Sequence, residues 1–395
     1  MRVTLVHNQY ARLSGEDVMV GSIARTLREH GHSVSLFLRH SGEISRMPFG
    51  RIRAFFSGIH SFTATRSLER LLVRERPDIV HIQNVYPLIS PGAFEVAGRL
   101  GIPIVFRCAN YRLFCPSGLL LSRGRICEQC AGGHEYWCTL RNCEGTLCKS
   151  LGYSLRNGWM RLTRAVERNV SLYVVPSTFQ RNKFIAWGIP QERIAVVPNL
   201  VPPEGVNGLS ESPGSYVAYA GRISPEKGVD TLLEAMRQLP EIPCRIAGDL
   251  RSMPGLAVAP PKNVQFLGPV SRDRISSFYA HARMLVVPSI CYETFGLVIG
   301  EAMLHGLPAI GSRIGAIPEV IDEGRTGLLF EPGNTAELAF KIRLLWNRTD
   351  LCRQMGTAGR NKALEDFCPE TFYCRLMHAY EKAIVLARQL REVAA

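Results

Sequence analysis

Two glutamates interrupt an otherwise apolar stretch of the chain, CYETFGLVIGEAMLHGLP at 291–308. The spacing of the apolar residues predicts a buried helix, and Glu301 falls in the middle of its apolar positions. An unpaired carboxylate there would cost roughly 3–5 kcal/mol, so Glu301 requires a partner. Because a carboxylate accepts hydrogen bonds and a ribose diol donates two, the predicted partner is a nucleotide ribose. The alternative is an ion pair with a buried arginine such as Arg313.

Glu293 lies just before the predicted start of this helix, near Phe295 or Gly296. The free N–H groups of a helix start attract a phosphate or a sugar oxygen. Glu293 is therefore placed to meet the hydroxyls of whatever a bound diphosphate carries.

Two cations follow an earlier predicted strand, in AGRISPEKG at 220–228. Gly221 allows a tight turn, after which Arg222 and Lys227 project from the carboxyl end of the strand. Cations placed across a turn that opens a helix suit a diphosphate. The segment lacks the Walker pattern, and the alternative is a surface turn with incidental charges.

The elements that must position these residues alternate between strand and helix along the whole chain, which predicts parallel sheets covered on both faces. The segment 199–215 is rich in Pro, Gly, Ser and Asn and is typical of a linker, after which the alternation restarts. We therefore expect an α/β protein with two doubly wound, Rossmann-like domains facing across a cleft, where open parallel sheets bind ligands. The predicted boundaries are an N-terminal domain at 1–200, a C-terminal domain at 214–368 and a terminal helix at 369–395 that packs back toward the N-terminal domain.

Bulk composition fits this expectation. The chain has 395 residues, of which 46% are hydrophobic and 21% charged, as in globular proteins of two ordinary domains. It shows neither a signal-peptide pattern nor a stretch of about 18 apolar residues, so we expect a cytoplasmic protein. The formal charge of +13 favours anionic partners. We predict no nucleic-acid binding, because no recognisable module is present.

One basic cluster stands out, ISRMPFGRIRAFFSGIHSF at 44–62, where arginines alternate with phenylalanines. It fits two descriptions: a solvated segment with some core aromatics, or a surface that contacts an anionic membrane at its inner face. The arginines are Arg46, Arg51 and Arg53, and the aromatics are Phe49, Phe55 and Phe56.

Half of the twelve cysteines lie in a predicted insert at 115–148. Cytosolic cysteines are normally reduced, and the CxxC pair has the spacing with which two thiolates share one metal. A structural zinc and a set of redox or structural thiols remain alternative interpretations, with His134 as a further ligand candidate. The six residues are Cys115, Cys127, Cys130, Cys138, Cys143 and Cys148.

Taken together, these motifs resemble family-four retaining glycosyltransferases of the GT-B fold. The pattern Glu293-x7-Glu301 carries the resemblance, together with GRISPEKG, CRIAGD, VQFLGPV and GAIPEVIDEGRTGLLF in the second half. SGEDVMVGSIARTLREHGHSV resembles the family's glycine loop and first helix, and some bacterial members carry a cysteine-rich insert after a segment like NYRLFCPSG. The resemblance spans nearly the whole chain and is more specific in the second half.

The resemblance implies residue roles. Arg222 and Lys227, after the turn at Gly221, would hold the donor diphosphate and stabilise charge on the leaving nucleotide, and Glu301 would bind the ribose. Glu293 and the backbone at three following residues would position the donor sugar, and Gly15 would let the N-terminal loop approach the donor or the acceptor. The three backbone positions are Phe295, Gly296 and Leu297. The transfer would require no bound metal.

Two positions depart from the family pattern. Ser14 and Gly15 stand where relatives often have two glycines, and FRCANYR places Ala109 and Asn110 where relatives often have His followed by an acid. That histidine normally touches the donor sugar, and the candidates for a substitute are His7, His81 and His134, each of which also has a structural interpretation.

The predicted function is a retaining glycosyltransferase that moves a sugar from a nucleotide-diphosphate sugar to a glycan or lipid-linked acceptor, in surface polysaccharide biosynthesis. Two alternatives stay open at this stage. One is a nucleotide-sugar-binding protein without transfer activity, for which Ala109 is the main support, and the other is a sugar epimerase on the same fold.

Overall fold

A computed structural model describes residues 1–11, 14–202 and 214–394. Most of the predicted linker, 203–213, lies outside the described residues. The chain divides into two compact units, the first made of 1–120, 127–198 and 372–395, the second of 121–126 and 199–371.

The first unit is built on a six-stranded sheet in the order β2-β1-β3-β4-β7-β8, with every pair parallel. Strands β3 and β7 are buried along their whole length, as expected for a sheet covered on both faces. The strands of the first half of the chain are β1 (Arg2–Gln9), β2 (Ser33–His40), β3 (Ile79–Ile82), β4 (Ile104–Arg107), β7 (Leu172–Val175) and β8 (Ile194–Val196), with a hairpin of β5 (Leu121–Ser122) and β6 (Arg125–Ile126).

Helices connect these strands, and they also form the cysteine-rich insert. They are α1 (Gly15–Glu29), α2 (Gly50–Ile59), α3 (Phe62–Glu75), α4 (Gly92–Arg99), α5 (Tyr136–Leu140), α6 (Leu147–Leu162), α7 (Ala165–Asn169) and α8 (Thr178–Ala186). The sequence pattern predicts a single helix over 159–170 in this region. The structure instead ends α6 at Leu162 and begins α7 at Ala165, because Arg164 adopts a left-handed conformation with φ 51°.

The second unit has a six-stranded parallel sheet in the order β11-β10-β9-β12-β13-β14. Successive residues of β9 pack into two different core clusters, with Val217 and Tyr219 in one and Tyr216 and Ala218 in the other. This alternation shows that the strand is covered on both faces. The strands are β9 (Tyr216–Ala220), β10 (Cys244–Ala247), β11 (Val264–Gly268), β12 (Ala282–Val287), β13 (Ala309–Ser312) and β14 (Gly327–Phe330).

The helices of the second unit include one that the sequence pattern did not predict, α14. Two of its glycines explain why, since Gly356 and Gly359 replace apolar side chains where the helix approaches α11 closely: a Cβ at Gly356 would lie 1.8 Å from the carbonyl oxygen of Gly306. The helices are α9 (Val229–Arg237), α10 (Arg272–Ala280), α11 (Leu297–Leu304), α12 (Ile317–Val320), α13 (Thr335–Asn347) and α14 (Thr349–Asp366).

The terminal helix α15 (Pro369–Ala394) belongs to the first unit from Phe372 onward. Tyr380 hydrogen-bonds His81 at 2.8 Å between Oη and Nδ1, and Tyr373 stacks on His30 with ring centroids 3.6 Å apart. These buried contacts tie α15 to strand β3 and helix α1. Within the described residues no helix is both long and apolar enough to cross a bilayer.

Candidate active site

The second sheet has a topological switch point between β9 and β12. From β9 the chain runs outward through β10 to β11, then returns to the other side of β9 with β12 and continues to β14. In open α/β sheets, ligands bind in a crevice at the carboxyl ends of the strands that flank such a switch point. Apart from Gly15, which begins α1 in the first unit, the predicted donor residues lie on the loops after β9 and β12 and on the helix after β12.

The loop after β9 turns at Gly221, whose φ of 142° is accessible mainly to glycine. Arg222 follows with its side chain 63% exposed, and its Nη2 donates to Glu226 Oε1 at 2.7 Å. Ser224 Oγ donates to the same oxygen at 2.7 Å. Glu226, which the sequence analysis did not identify, thus holds Arg222 by its carboxylate while the guanidinium stays open to solvent.

The loops after β9 and β12 lie directly against each other. Ile290 N donates to Glu226 O at 3.0 Å. Gly228 has φ 63°, and a Cβ there would lie 2.0 Å from the carbonyl oxygen of Pro288. Only glycine fits this close approach, which brings Lys227 beside the β12 loop.

Lys227 and Glu293 form an ion pair at this point. Lys227 Nζ lies 2.5 Å from Glu293 Oε1, and Ser289 Oγ donates to the same carboxylate oxygen at 2.5 Å. The Lys227 side chain is 24% exposed and that of Glu293 is 12% exposed. Two residues predicted independently from separate motifs are therefore brought together, with Ser289 as a third member that no motif indicated.

The pair shifts the pKa of both members. Burial by itself raises the pKa of Glu293, but the Lys227 ammonium and the hydrogen bonds from Lys227 and Ser289 outweigh it, so the net pKa is below the ordinary value. Burial by itself lowers the pKa of Lys227, but the Glu293 carboxylate outweighs it and the net pKa is raised. Both groups are consequently charged at neutral pH.

Helix α11 begins where the β12 loop ends. Gly296 is its N-cap with φ 90°, and no side chain makes an N-cap hydrogen bond there. Phe295 is buried, whereas Gly296 and Leu297 are half-buried. The start of the helix therefore presents backbone N–H groups rather than a side-chain cap, as the sequence predicted.

Glu301 lies one turn further along α11 and is half-buried, less enclosed than its apolar neighbours suggest. Tyr279 Oη, from α10, donates to its Oε2 at 2.9 Å. Tyr279 is buried, and burial followed by the Glu301 charge raises the pKa of its phenol. Arg313, the alternative partner, forms ion pairs with Glu323 and Glu331. Tyr279 was missed because nothing in the spacing links α10 to α11.

In the first unit, Gly15 is the first residue of α1 and Ser14 caps it. The Ser14 hydroxyl accepts from Asp17 N at 3.2 Å and donates to Asp17 Oδ2 at 2.7 Å. His7 Nε2 hydrogen-bonds the other oxygen of Asp17 at 2.8 Å. Burial raises the pKa of Asp17, but the hydrogen bonds from Ser14 and then His7 give a net lowering. Ser14 and His7 therefore both serve to fix the start of α1.

The segment after β4 is also held by polar contacts. Asn110 Nδ2 donates to Glu16 Oε1 at 2.9 Å, and Gln180 Nε2 donates to the carbonyl oxygens of Cys108 and Asn110. Of the histidines considered as substitutes at Ala109, His81 is buried against Tyr380, and burial lowers its pKa to about 3. His134 is bonded to its own turn through Ala131 O.

None of the twelve cysteines forms a disulfide. Burial, followed by the neighbouring Cys115, Cys143 and Cys127, raises the pKa of Cys130 to about 12. Within the part of the chain that the structure describes, however, no group of three or more His, Cys, Asp or Glu side chains is arranged to hold a metal ion.

Comparison with known proteins adds an independent line of evidence. Residues 207–362 match the family model described as "Glycosyl transferases group 1", and residues 14–200 match the "Glycosyl transferase 4-like domain". The chain is 26% identical over 382 residues to sulfoquinovosyl transferase SQD2 of Arabidopsis thaliana, covering 89% of this chain and 68% of that protein.

Two further curated proteins match over less than half of this chain and less than half of their own length. The chain is 32% identical over 155 residues to the uncharacterized glycosyltransferase MJ1178 of Methanocaldococcus jannaschii, covering 38% of this chain and 44% of that protein. It is 34% identical over 147 residues to a D-inositol 3-phosphate glycosyltransferase of Mycobacterium sp. strain KMS, covering 34% of this chain and 33% of that protein.

Solved structures show a similar fold. Sucrose-phosphate synthase from Thermosynechococcus elongatus superposes with a TM-score of 0.72 at 18% identity, covering 97% of this chain and 99% of that one. Anabaena HepE, solved in complex with UDP and glucose, superposes with a TM-score of 0.65 at 17% identity, covering 96% and 99%. The predicted fold class, α/β with two parallel sheets, is confirmed.

Proposed function

Since the chain belongs to the group 1 glycosyltransferases of the GT-B fold, enzymes that use nucleotide-sugar donors, we propose that it is a retaining enzyme whose donor site is the switch point of the second sheet. The donor would be a nucleotide-diphosphate sugar. The acceptor would be a glycan or a lipid-linked glycan, and the product would enter surface polysaccharide biosynthesis.

The observation that carries the proposal is the ion pair of Lys227 with Glu293 at the start of α11. A diphosphate bound here would face the Lys227 ammonium, the exposed guanidinium of Arg222 and the uncapped N–H groups of the helix. These groups are fixed by the fold before the ligand arrives, so little reorganisation accompanies the reaction. The turn at Gly221 keeps the backbone close to the same crevice.

Each remaining donor residue has a role that its position supports. Glu301 accepts from the ribose hydroxyls with its carboxylate oxygens, while Tyr279 fixes the orientation of the carboxylate. Glu293 orients Lys227 and accepts from a hydroxyl of the donor sugar. The backbone at Phe295, Gly296 and Leu297 positions the sugar against that carboxylate.

In the transfer, the bond between the anomeric carbon and the β-phosphate oxygen breaks as the acceptor hydroxyl bonds to the same face of that carbon. The acceptor proton leaves with the departing diphosphate. Negative charge therefore grows on the diphosphate, where Lys227 and Arg222 stabilise it. No step requires a protein-bound metal, and Gly15 at the start of α1 leaves room for the acceptor or the donor to approach the first unit.

The test is a donor screen followed by a turnover assay. Thermal unfolding of the wild-type chain with UDP, GDP, ADP and CMP in turn should show one nucleotide that raises the midpoint, because ligand at about 100 times its Kd adds roughly 2.7 kcal/mol. Sugar donors of that nucleotide should then release nucleoside diphosphate only when acceptor is present. A midpoint shift without any release would instead identify the nucleotide-sugar-binding protein that Ala109 suggests.

A polysaccharide-producing host that lacks this protein identifies the acceptor separately from the donor. Such a host should accumulate a lipid-linked glycan, and the purified enzyme should extend that glycan by one sugar with the anomeric configuration of the donor. An inverted linkage would contradict retention, and a soluble acceptor would contradict the lipid-linked assignment.

A further inference from the structure

Helix α6 is amphipathic, but its apolar face points outward rather than toward the core. Five large apolar side chains lie on the outside, each between 47% and 72% exposed, and the inward positions other than Met160 are small or polar. The exposed residues are Leu147, Leu151, Leu155, Trp159 and Leu162. The buried ones are Ser150, Gly152, Ser154, Arg156, Asn157 and Met160.

The exposed residues form one stripe, named here the α6 stripe. At 3.6 residues per turn, the five side chains fall within an arc of about 120° and extend over about 22 Å of helix. A continuous exposed apolar surface of this kind is unusual on a protein that stays free in water and marks an interaction surface.

The fold does not need these leucines, because a polar network holds the inner face of α6. Arg156 donates to Pro116 O at 3.0 Å and its guanidinium lies 4.0 Å from the Tyr86 ring centroid. Asn157 Nδ2 donates to Arg112 O at 2.7 Å. The exposed leucines are therefore not needed to pack α6 onto its own domain, and an external binding partner would account for them.

Helix α2 lies beside α6 and adds aromatic surface. The ring of Phe55 packs so closely on Gly152 that a Cβ there would lie 2.8 Å from it. Phe49, at the start of α2, is 80% exposed, and Phe56 is also exposed. Part of the basic cluster predicted at 44–62 is therefore a surface next to the α6 stripe. The side chains of Arg51 and Arg53 lie outside what the structure describes.

The chain segments that contain α2 and α6 carry positive charge only. The sequence contains no Asp or Glu in 44–68 or in 145–166, whereas these segments hold eight cations of the chain's +13 excess. Seven of them are Arg46, Arg51, Arg53, Arg66, Lys149, Arg161 and Arg164, and the eighth is Arg156, which is buried in the inner network of α6.

Acidic neighbours cancel only part of this charge at the surface. Lys149 pairs with Glu144 and Arg161 with Glu135, and in both pairs the acid is 12% exposed while the cation is more than half exposed. Arg164 pairs with Glu167, where both partners are exposed. Two copies of the chain meeting through such a face would bring like charges together, which argues against a dimer.

We infer that the α6 stripe and the adjacent face of α2 form a docking surface for an anionic lipid membrane. The leucines and Phe49 enter the boundary between headgroups and acyl chains, Trp159 lies at the polar boundary that tryptophan prefers, and the surrounding arginines and lysines meet the lipid phosphates. The inference does not depend on the donor site, which is built by the second unit.

Vesicle flotation of the full chain tests this surface. The chain should float with vesicles of phosphatidylcholine mixed with phosphatidylglycerol, much less with phosphatidylcholine alone, and less at high salt. The triple variant Leu151→Gln, Leu155→Gln and Leu162→Gln should bind the mixed vesicles at least about tenfold more weakly. A control replaces three exposed apolar side chains of the second unit, Val258→Gln, Phe340→Gln and Leu364→Gln, and should bind as the wild type does.

The remaining outcomes overturn the inference. They are failure of the wild type to float with the mixed vesicles, equal flotation of the wild type and the stripe variant, and a lipid-free oligomer, seen by sedimentation, that the stripe variant abolishes. If the stripe variant does not fold, Arg46→Gln with Arg66→Gln provides a second test, because both side chains are exposed. That double variant must then lose binding to the mixed vesicles.

Discussion

Lys227 and Glu293 are 66 residues apart in the sequence, yet their side chains meet with Nζ 2.5 Å from Oε1. The contact joins the loop after β9 to the loop after β12, the two strands between which the second sheet changes direction. The ion pair thus connects the two loops, and it is also proposed to bind the donor diphosphate. These two roles are separable by experiment.

Replacing Lys227 by alanine should lower turnover by about a hundredfold or more, because it removes a cation from the leaving group. It should also destabilise the fold by roughly 3 kcal/mol, because Glu293 loses its ion-pair partner. Steady-state kinetics and urea denaturation on the same preparation measure both effects.

The second unit offers a control, since Lys362, on α14, lies 2.6 Å from Asp322 with its side chain 9% exposed. Lys362→Ala should cost less stability, because Asp322 keeps its ion pair with Arg325, and it should leave turnover within about twofold. If the loss of turnover in both variants is proportional to the loss of unfolding free energy, Lys227 contributes to folding stability and has no separate role in the reaction.

The stabilisation from the Lys227–Glu293 ion pair should depend on pH. The folded pKa of Glu293 is below its ordinary 4.5, so its contribution is present above that value and is lost as the pH falls through the folded pKa. The folded pKa of Lys227 is above 10.5, so its contribution is present below that value and is lost as the pH rises through the folded pKa. The stability difference between the wild type and Glu293→Gln should be largest between these limits.

Denaturation of both proteins near neutral pH and at about pH 3.5 checks this expectation. The difference in unfolding free energy should shrink at the acidic pH. A difference that stays constant would mean that the Glu293 carboxylate is not stabilised by the charge of Lys227.

Glu301→Ala should weaken binding of the donor nucleotide by about tenfold or more, because hydrogen bonds to a charged group are each worth about 1.5–3 kcal/mol. Isothermal titration with the nucleotide found in the donor screen measures the affinity. Tyr279→Phe is the control: it removes the bond to Glu301 but keeps the carboxylate, so it should weaken binding less. Unaltered affinity in Glu301→Ala would remove the ribose assignment.

Much of the architecture follows from the sequence. The sequence pattern predicts strands at 216–220, 244–247 and 327–330, and β9, β10 and β14 have these limits, because each is a short apolar run between Gly, Pro or polar residues. The pattern missed α14 and all but the last turn of α6, because apolar spacing does not indicate burial there: α6 carries its leucines outward, and α14 has glycines at its tightest contact.

The motifs proposed to bind the donor are also visible in the sequence, in the segments that follow β9 and β12. The partners of these residues were not predicted. Glu226 lies inside GRISPEKG but was given no role, Ser289 was not identified, and Tyr279 reaches Glu301 only through the packing of α10 on α11. Side chains that meet through tertiary packing leave no periodic signal, so sequence reasoning could say that Glu301 needs a partner but not that Tyr279 is one.

Ser14 provides the last prediction, since it stands where relatives often have a second glycine. Its hydroxyl completes a capping box with Asp17 at the start of α1. Ser14→Ala should therefore lower the unfolding free energy by about 1 kcal/mol, whereas Ser14→Gly should lower it by only a few tenths, because glycine is itself tolerated at an N-cap. Urea denaturation at neutral pH measures both variants. Turnover of Ser14→Gly should stay close to that of the wild type if the family's two-glycine loop and this capped loop place Gly15 alike. A large loss of turnover without a loss of stability would instead assign the Ser14 hydroxyl a direct contact with a substrate.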